Sequence, residues 1–161
     1  MSVDLSPLFG TIEATRLVDI KQPARNALWR NIEALSSKEA VTRREALRQL
    51  QFFPEFRAEV VRNVLELVND PDARVRTMVI NVLVCSRGLR PKEARKLAPL
   101  LKDPRWGDHT RRNIAWLVAR YAPKEREVEK ALEFALGLVE KEVRKGIQQA
   151  LGYYRKRPAE K

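Results

Sequence analysis

Apolar positions along the chain recur at helical spacing. Val75, Val79, Val82 and Leu83 follow one another at steps of three or four residues, and so do Val143, Ile147, Ala150, Leu151 and Tyr154; each set is the stripe of an amphipathic α-helix. The stripes themselves repeat. TRREALRQL (42–50), VRTMVINVL (75–83), TRRNIAWLV (110–118) and VRKGIQQAL (143–151) align at a period of about 33 residues. Each opens with Val or Thr followed by Arg and carries small or apolar residues at its fifth, eighth and ninth positions, with Gln49 as the polar exception. They are four copies of one helix, here called B.

A second amphipathic run, A, precedes each copy. Its stripes are Leu28, Ile32, Leu35; then Val61, Val64, Leu65, Val68; then Ala94, Leu97, Leu101; then Val128, Ala131, Leu132, Ala135, Val139. Pro23, Pro54, Pro91 and Pro123 stand where the A helices should begin, a position that tolerates proline because its missing amide would be unpaired there anyway. No comparable stretch alternates with a period of two. The pattern predicts an all-α chain, a single domain spanning 1–161. Four helical hairpins are expected at about 22–53, 54–88, 89–122 and 123–157, with a capping helix within 4–20. A period of this size means a solenoid, in which each hairpin buries its apolar face only against its neighbours.

Composition adds a large charge imbalance. The 161 residues include 32 Lys or Arg against 21 Asp or Glu, a formal net charge of +11. By hairpin, residues 1–53 carry +2, 54–88 zero, 89–123 +6 and 124–161 +3. A localised basic surface points to a nucleic-acid partner. With one Cys (Cys85) and one His (His109), neither a disulfide framework nor a Cys/His zinc site can be assembled. No glycine-rich phosphate loop is present, and the expectation is a protein without metal or cofactor. Cys85 is expected in a buried helix, as an inert thiol, and His109 in a solvent-facing turn. The first twenty residues lack a basic n-region and no run of eighteen apolar residues occurs, so the expected location is cytoplasmic, with no membrane span.

Asp70-Pro71-Asp72-Ala73-Arg74-Val75-Arg76 and Leu97-Ala98-Pro99-Leu100-Leu101-Lys102-Asp103-Pro104 resemble the A-helix end and inter-helix turn of HEAT repeats, in which an Asp-Pro turn precedes a Val-Arg opening the B helix. Pro99 matches the kink common in the family's A helices. The resemblance implies that the recurring Arg43, Arg76, Arg111 and Arg144 form a structural ladder with the turn aspartates Asp70, Asp72 and Asp103 between neighbouring hairpins.

The neighbouring strip of the B helices is the candidate binding surface: Arg44 and Arg48, Thr77 and Asn81, Arg112, Trp116 and Arg120, then Lys145, Gln149 and Tyr153. B helices line the concave side of such arrays. Arg112, Trp116 and Arg120 stand at i, i+4 and i+8 on one helix face, placing an aromatic ring between two guanidinium groups, which suits a phosphate backbone with a base or sugar against the ring. The alternative for Trp116 is core packing. Arg155, Lys156 and Arg157 extend the basic surface at the end of the chain.

The segments TRRNIAWLVARY and VRKGIQQALGYYRKR also resemble the corresponding parts of DNA alkylation-repair glycosylases, themselves HEAT-like arrays. That resemblance implies a basic groove on duplex DNA and assigns a DNA-contacting arginine to Arg111 or Arg112. The rest departs: the family's last aromatic falls on Gln149, and ARVRTMVIN replaces its Trp-Asp motif. Without an acid to stabilise a cationic sugar, such catalysis loses its main electrostatic support. A non-enzymatic module binding nucleic-acid backbone is therefore the leading expectation. A protein-interaction scaffold docking an acidic partner and a glycosylase-like enzyme are the alternatives.

Overall fold

A computed structural model describes residues 22–53, 57–86 and 88–158. The capping helix expected within 4–20 lies outside the described residues, as does Pro54. The described chain is all-α. Helix α1 spans residues 22–34, α2 Ala40–Leu50, α3 Arg57–Leu65, α4 Ala73–Ser86, α5 Pro91–Leu97, α6 Asp108–Tyr121, α7 Arg126–Leu138 and α8 Lys141–Lys156, with a 3₁₀ helix at Ala98–Lys102 between α5 and α6. The even-numbered helices are the B copies.

Local chemistry sets the helix ends. The Asp72 carboxylate accepts the backbone N–H groups of Arg74 and Val75 at 2.8 and 2.9 Å, capping α4 at its start. Hydrogen bonding from the Val75 amide holds that carboxyl below the ordinary aspartate range. At α5, Pro91 occupies the first turn and the Glu93 carboxylate accepts the Arg90 N–H at 2.9 Å. Pro99 breaks the third A run: it has no N–H for an i→i−4 bond, so the α-helix stops at Leu97 and the segment tightens into the 3₁₀ turn. Tyr154, buried on α8, closes the last pair by donating its hydroxyl to the Pro123 carbonyl at 2.7 Å and accepting the Glu125 N–H at 2.8 Å.

The B helices pack in sequence, α2 on α4, α4 on α6 and α6 on α8. Their facing stripes supply much of the core, including Leu47, Leu50, Val79, Leu83, Ile114, Val118, Ile147 and Leu151. On the other side, α3 and α5 flank a groove of about 700 Å³ lined by Arg62, Leu65, Glu66, Arg90, Pro91, Lys92, Glu93 and Lys96. Among the described residues no helix is long and apolar enough to cross a membrane.

Arg43, Arg76 and Arg111 turn inward while Arg144 is exposed, and each of the four ties down the turn before its own helix. Arg43 donates Nη1 to the carbonyls of Ser37 and Lys38 at 2.8 and 2.9 Å. Arg76 does the same to Asp70 and Pro71 at 2.8 and 3.0 Å. Arg111 reaches the Leu101 and Asp103 carbonyls at 3.1 and 2.8 Å, and Arg144 the Val139 carbonyl at 3.2 Å. The links between repeats differ from the uniform ladder expected. Arg43 makes the bidentate pair with Asp70 of the next hairpin, Nε to Oδ2 at 2.7 Å and Nη2 to Oδ1 at 2.8 Å. Arg76 instead places its guanidinium carbon 5.9 Å from the ring centre of buried Trp106. Between the third and fourth repeats the Asp108 carboxylate accepts the Glu140 N–H at 2.9 Å. Asp72 is not a strut, because both its bonds go to its own helix start. Nor is Asp103, whose carboxylate is taken by Arg105 at 2.6 Å; that hydrogen bond also lowers the Asp103 pKa.

Two outcomes follow. Arg43→Met leaves a buried carboxylate and two turn carbonyls without their donor, so its urea midpoint falls well below that of the parent; the double variant Arg43→Met with Asp70→Asn regains part of the loss, because the unpaired charge is gone. Asp72 titrates lower folded than unfolded, so its stabilisation is complete above the unfolded value of about 3.9 and disappears as pH falls through the folded one. Asp72→Asn keeps the cap and flattens that acid-side loss in thermal melts run from pH 7 to pH 3.

Candidate nucleic-acid interface

The strip beside the recurring arginines is exposed or half-buried on all four B helices. Thr77, Arg120, Lys145, Gln149 and Tyr153 are exposed, while Arg44, Asn81 and Arg112 are half-buried. Trp116 is 38% exposed and Tyr153 44% exposed, so core packing does not account for the tryptophan. The two rings lie 6.2 Å apart between centroids at an interplanar angle of 49°, bridging α6 and α8. On the other side of Trp116, a shallow cavity of about 240 Å³ runs along its own helix toward α4, lined by Val84, Leu117, Arg120 and Tyr121. The centre of the strip is therefore a small aromatic and apolar ridge spanning three B helices.

Gly146 sets the position of Arg112. A β-carbon at residue 146 would lie 2.7 Å from the Arg112 Cδ and 3.1 Å from its Cγ. The absence of that carbon lets the arginine's aliphatic chain lie directly on α8. A glycine inside a helix costs roughly 1 kcal/mol relative to alanine, and here the close approach of a side chain accounts for it. The glycine in VRKGIQQAL was the available signal for this contact, and sequence reasoning passed over it.

Charge is distributed less simply than the hairpin totals imply. In the third hairpin Arg111 is internal, Arg90 pairs with Glu93, Arg95 with Glu125 at 3.0 Å and Arg105 with Asp103. Lys102 sits over the Phe134 ring at 5.7 Å. That leaves Lys92 and Lys96 on the A side and, on the B-helix strip, Arg112 and Arg120, the latter 5.5 Å from the Tyr121 ring centre; with Lys145 from α8, none of the three strip cations is in an ion pair among the described residues. In the first hairpin Arg48 is engaged by Glu45 at 2.7 Å, and this hydrogen bond, with another from Gln49, lowers the Glu45 pKa to about 2. Arg44 is half-buried, and its Nε has no hydrogen-bond partner among the described residues.

The C-terminal cluster is mostly structural. Arg155 pairs with Glu129 at 2.6 Å and also with Glu133. Arg157 donates to the carbonyls of Ala119, Arg120 and Ala122, fastening the end of α8 to that of α6. Lys156 alone of the three remains outward without such bonds among the described residues. Cys85 also departs from expectation: it is exposed. The buried stripe of α4 runs through Val75, Arg76, Val79, Ile80, Val82, Leu83 and Ser86, which turns Val84 and Cys85 outward. His109 is exposed.

This architecture has a family counterpart, since the family model of HEAT repeats matches residues 30–109. The chain belongs to the HEAT-repeat family. HEAT arrays are helical-repeat modules for binding or scaffolding, with extended surfaces along their stacked helices. No curated protein matches the chain. In this HEAT-repeat protein the fourth helical pair, beyond the matched residues, contributes half of the aromatic ridge.

Gly146→Ala tests the seat of Arg112. The array is expected to stay folded, with helix-propensity gain offset by displacement of the guanidinium chain. If ligand binding uses Arg112 in its seated position, Gly146→Ala and Arg112→Ala each weaken it and the double variant is no weaker than Arg112→Ala alone, as an affinity-based double-mutant cycle would show.

Proposed function

We propose that this HEAT-repeat module binds the nucleic-acid backbone through the B-helix strip of its third and fourth helical pairs. The observation that carries this reading is the grouping of Arg112, Arg120 and Lys145, outside any ion pair among the described residues, around two half-exposed aromatic rings. Guanidinium and ammonium groups outside internal pairs attract phosphates and release their counterions on contact. Arg48, Arg155 and Arg157 contribute little, since their charge is already committed to carboxylates or carbonyls. None of the ten strip residues is acidic. The strip supplies phosphate contacts and stacking area, and the Asp108 carboxylate one turn before Arg112 is engaged by the Glu140 N–H and Arg111, which supports binding over glycosylase chemistry.

A second reading rests on the outer groove between α3 and α5. Arg62, Arg90, Lys92 and Lys96 surround an apolar strip that includes Leu65 and Pro91, against Glu66 and Glu93. This favours an acidic protein partner on the A side, the scaffold use of such arrays.

Titration with DNA and with RNA at several salt concentrations tests the first reading. With three phosphate contacts, log K is expected to fall against log salt with a slope of roughly −3 on duplex and about −2 on single strands. Arg112→Ala combined with Arg120→Ala should reduce the magnitude of that slope by about 2 on duplex and weaken binding at all sequences alike. Absence of binding at low salt, or an unchanged slope in the double variant, would falsify the assignment.

A further inference from the structure

We propose that the Trp116 and Tyr153 rings form a seat for unpaired bases, so that this face takes single-stranded nucleic acid in preference to duplex. The inference rests on the nucleic-acid reading above and narrows its ligand class. Large aromatic rings left 38% and 44% exposed on a folded surface are apolar area that a ligand can cover. In a duplex the base faces are already stacked on one another, and a protein ring at the surface meets only sugars and phosphates. In a single strand the faces are available, and stacking on aromatic side chains is the main sequence-tolerant source of affinity.

The geometry fits successive bases better than one enclosed base. The rings are inclined by 49° at 6.2 Å, whereas a base sandwiched between them would need parallel planes. Each ring therefore presents its own exposed surface, one on α6 and one on α8. Cations bracket them: Arg112 and Arg120 stand one turn to either side of Trp116, about 12 Å apart along the helix axis, enough for a run of about two or three nucleotides. Lys145 lies two turns before Tyr153 on α8. Aromatic and arginine residues also make protein hot spots, but apart from the rings the strip residues are cations, amides and a hydroxyl, complementary to a polyanion with planar bases.

The test compares a labelled twelve-nucleotide oligothymidylate with a duplex of equal length, by fluorescence anisotropy on the full chain at fixed salt. The single strand is expected to bind about tenfold tighter or more, and to quench tryptophan fluorescence in a manner lost in Trp116→Ala. Trp116→Ala and Tyr153→Ala should each weaken single-strand binding by about five- to a hundredfold with an unchanged salt slope and little effect on duplex. Trp116→Phe, which keeps a ring and guards against a folding defect, should retain most of the affinity. Equal affinity for the two ligands, or equal loss on both when the rings are removed, overturns the base seat while leaving the backbone reading intact. Binding of neither ligand at low salt overturns both.

Discussion

Every A helix ends with carbonyls that its own backbone cannot satisfy, and in the first three repeats the arginine that meets them is buried. The array depends on how those carbonyls are met. Arg43, Arg76, Arg111 and Arg144 each reach back five to ten residues to the turn before their own helix. A guanidinium suits this task because its five donors lie in one plane, so two carbonyls can be bonded while other donors remain for a neighbour. That spare capacity produces the links between repeats: a carboxylate pair at Asp70 and an indole face at Trp106. At the last junction, Asp108 satisfies the amide that opens the fourth B helix while also approaching Arg111 at 3.4 Å. The recurring arginine is invariant within the chain because the orphan carbonyls recur, whereas its cross-repeat partner varies with the turn available.

The helices were legible in the sequence because burial imposes periodicity. Each apolar stripe had to face a neighbour, and the prolines marked where amides were dispensable, so Pro91 and Pro99 could be placed before any coordinates. The structural role of the recurring arginines was legible through the HEAT resemblance. Their partners were not, because choosing between Asp103 and Trp106 for Arg76 requires knowing that Arg105, two residues beyond Asp103, reaches its carboxylate first. Cys85 was misplaced for a related reason. A helix that is apolar nearly all round leaves its outward side undetermined by hydropathy, and only the stacking direction turns Val84 and Cys85 to solvent.

Net charge was a poor guide at the level of single residues. The third hairpin's excess of six positive charges divides between an A side, where Arg90 and Arg95 meet carboxylates beside Lys92 and Lys96, and a B side holding Arg112 and Arg120. The sequence records how many cations a repeat has, but engagement depends on which helix presents the acid. Glu129 and Glu133 lie one turn apart on α7 and both reach Arg155, removing a residue that appeared part of a basic tail. Conversely, Gly146 carries no charge and still determines how one arginine is presented.

A stacked-helix surface has little freedom to build a concave pocket, since every residue with a periodic role is spent on the neighbouring helix. What remains for recognition is the strip one position over, where successive B helices set their side chains in register. On that strip the first pair contributes Arg48, already neutralised by Glu45, and a half-buried Arg44, and the second contributes small neutral groups, Thr77 and Asn81. The third and fourth pairs contribute cations together with both exposed rings, and the contact of Arg112 with Gly146 fixes those two helices close enough for the rings to meet. On the proposed reading, recognition is accordingly a property of one inter-repeat junction, α6 against α8, on which the preceding repeats are stacked.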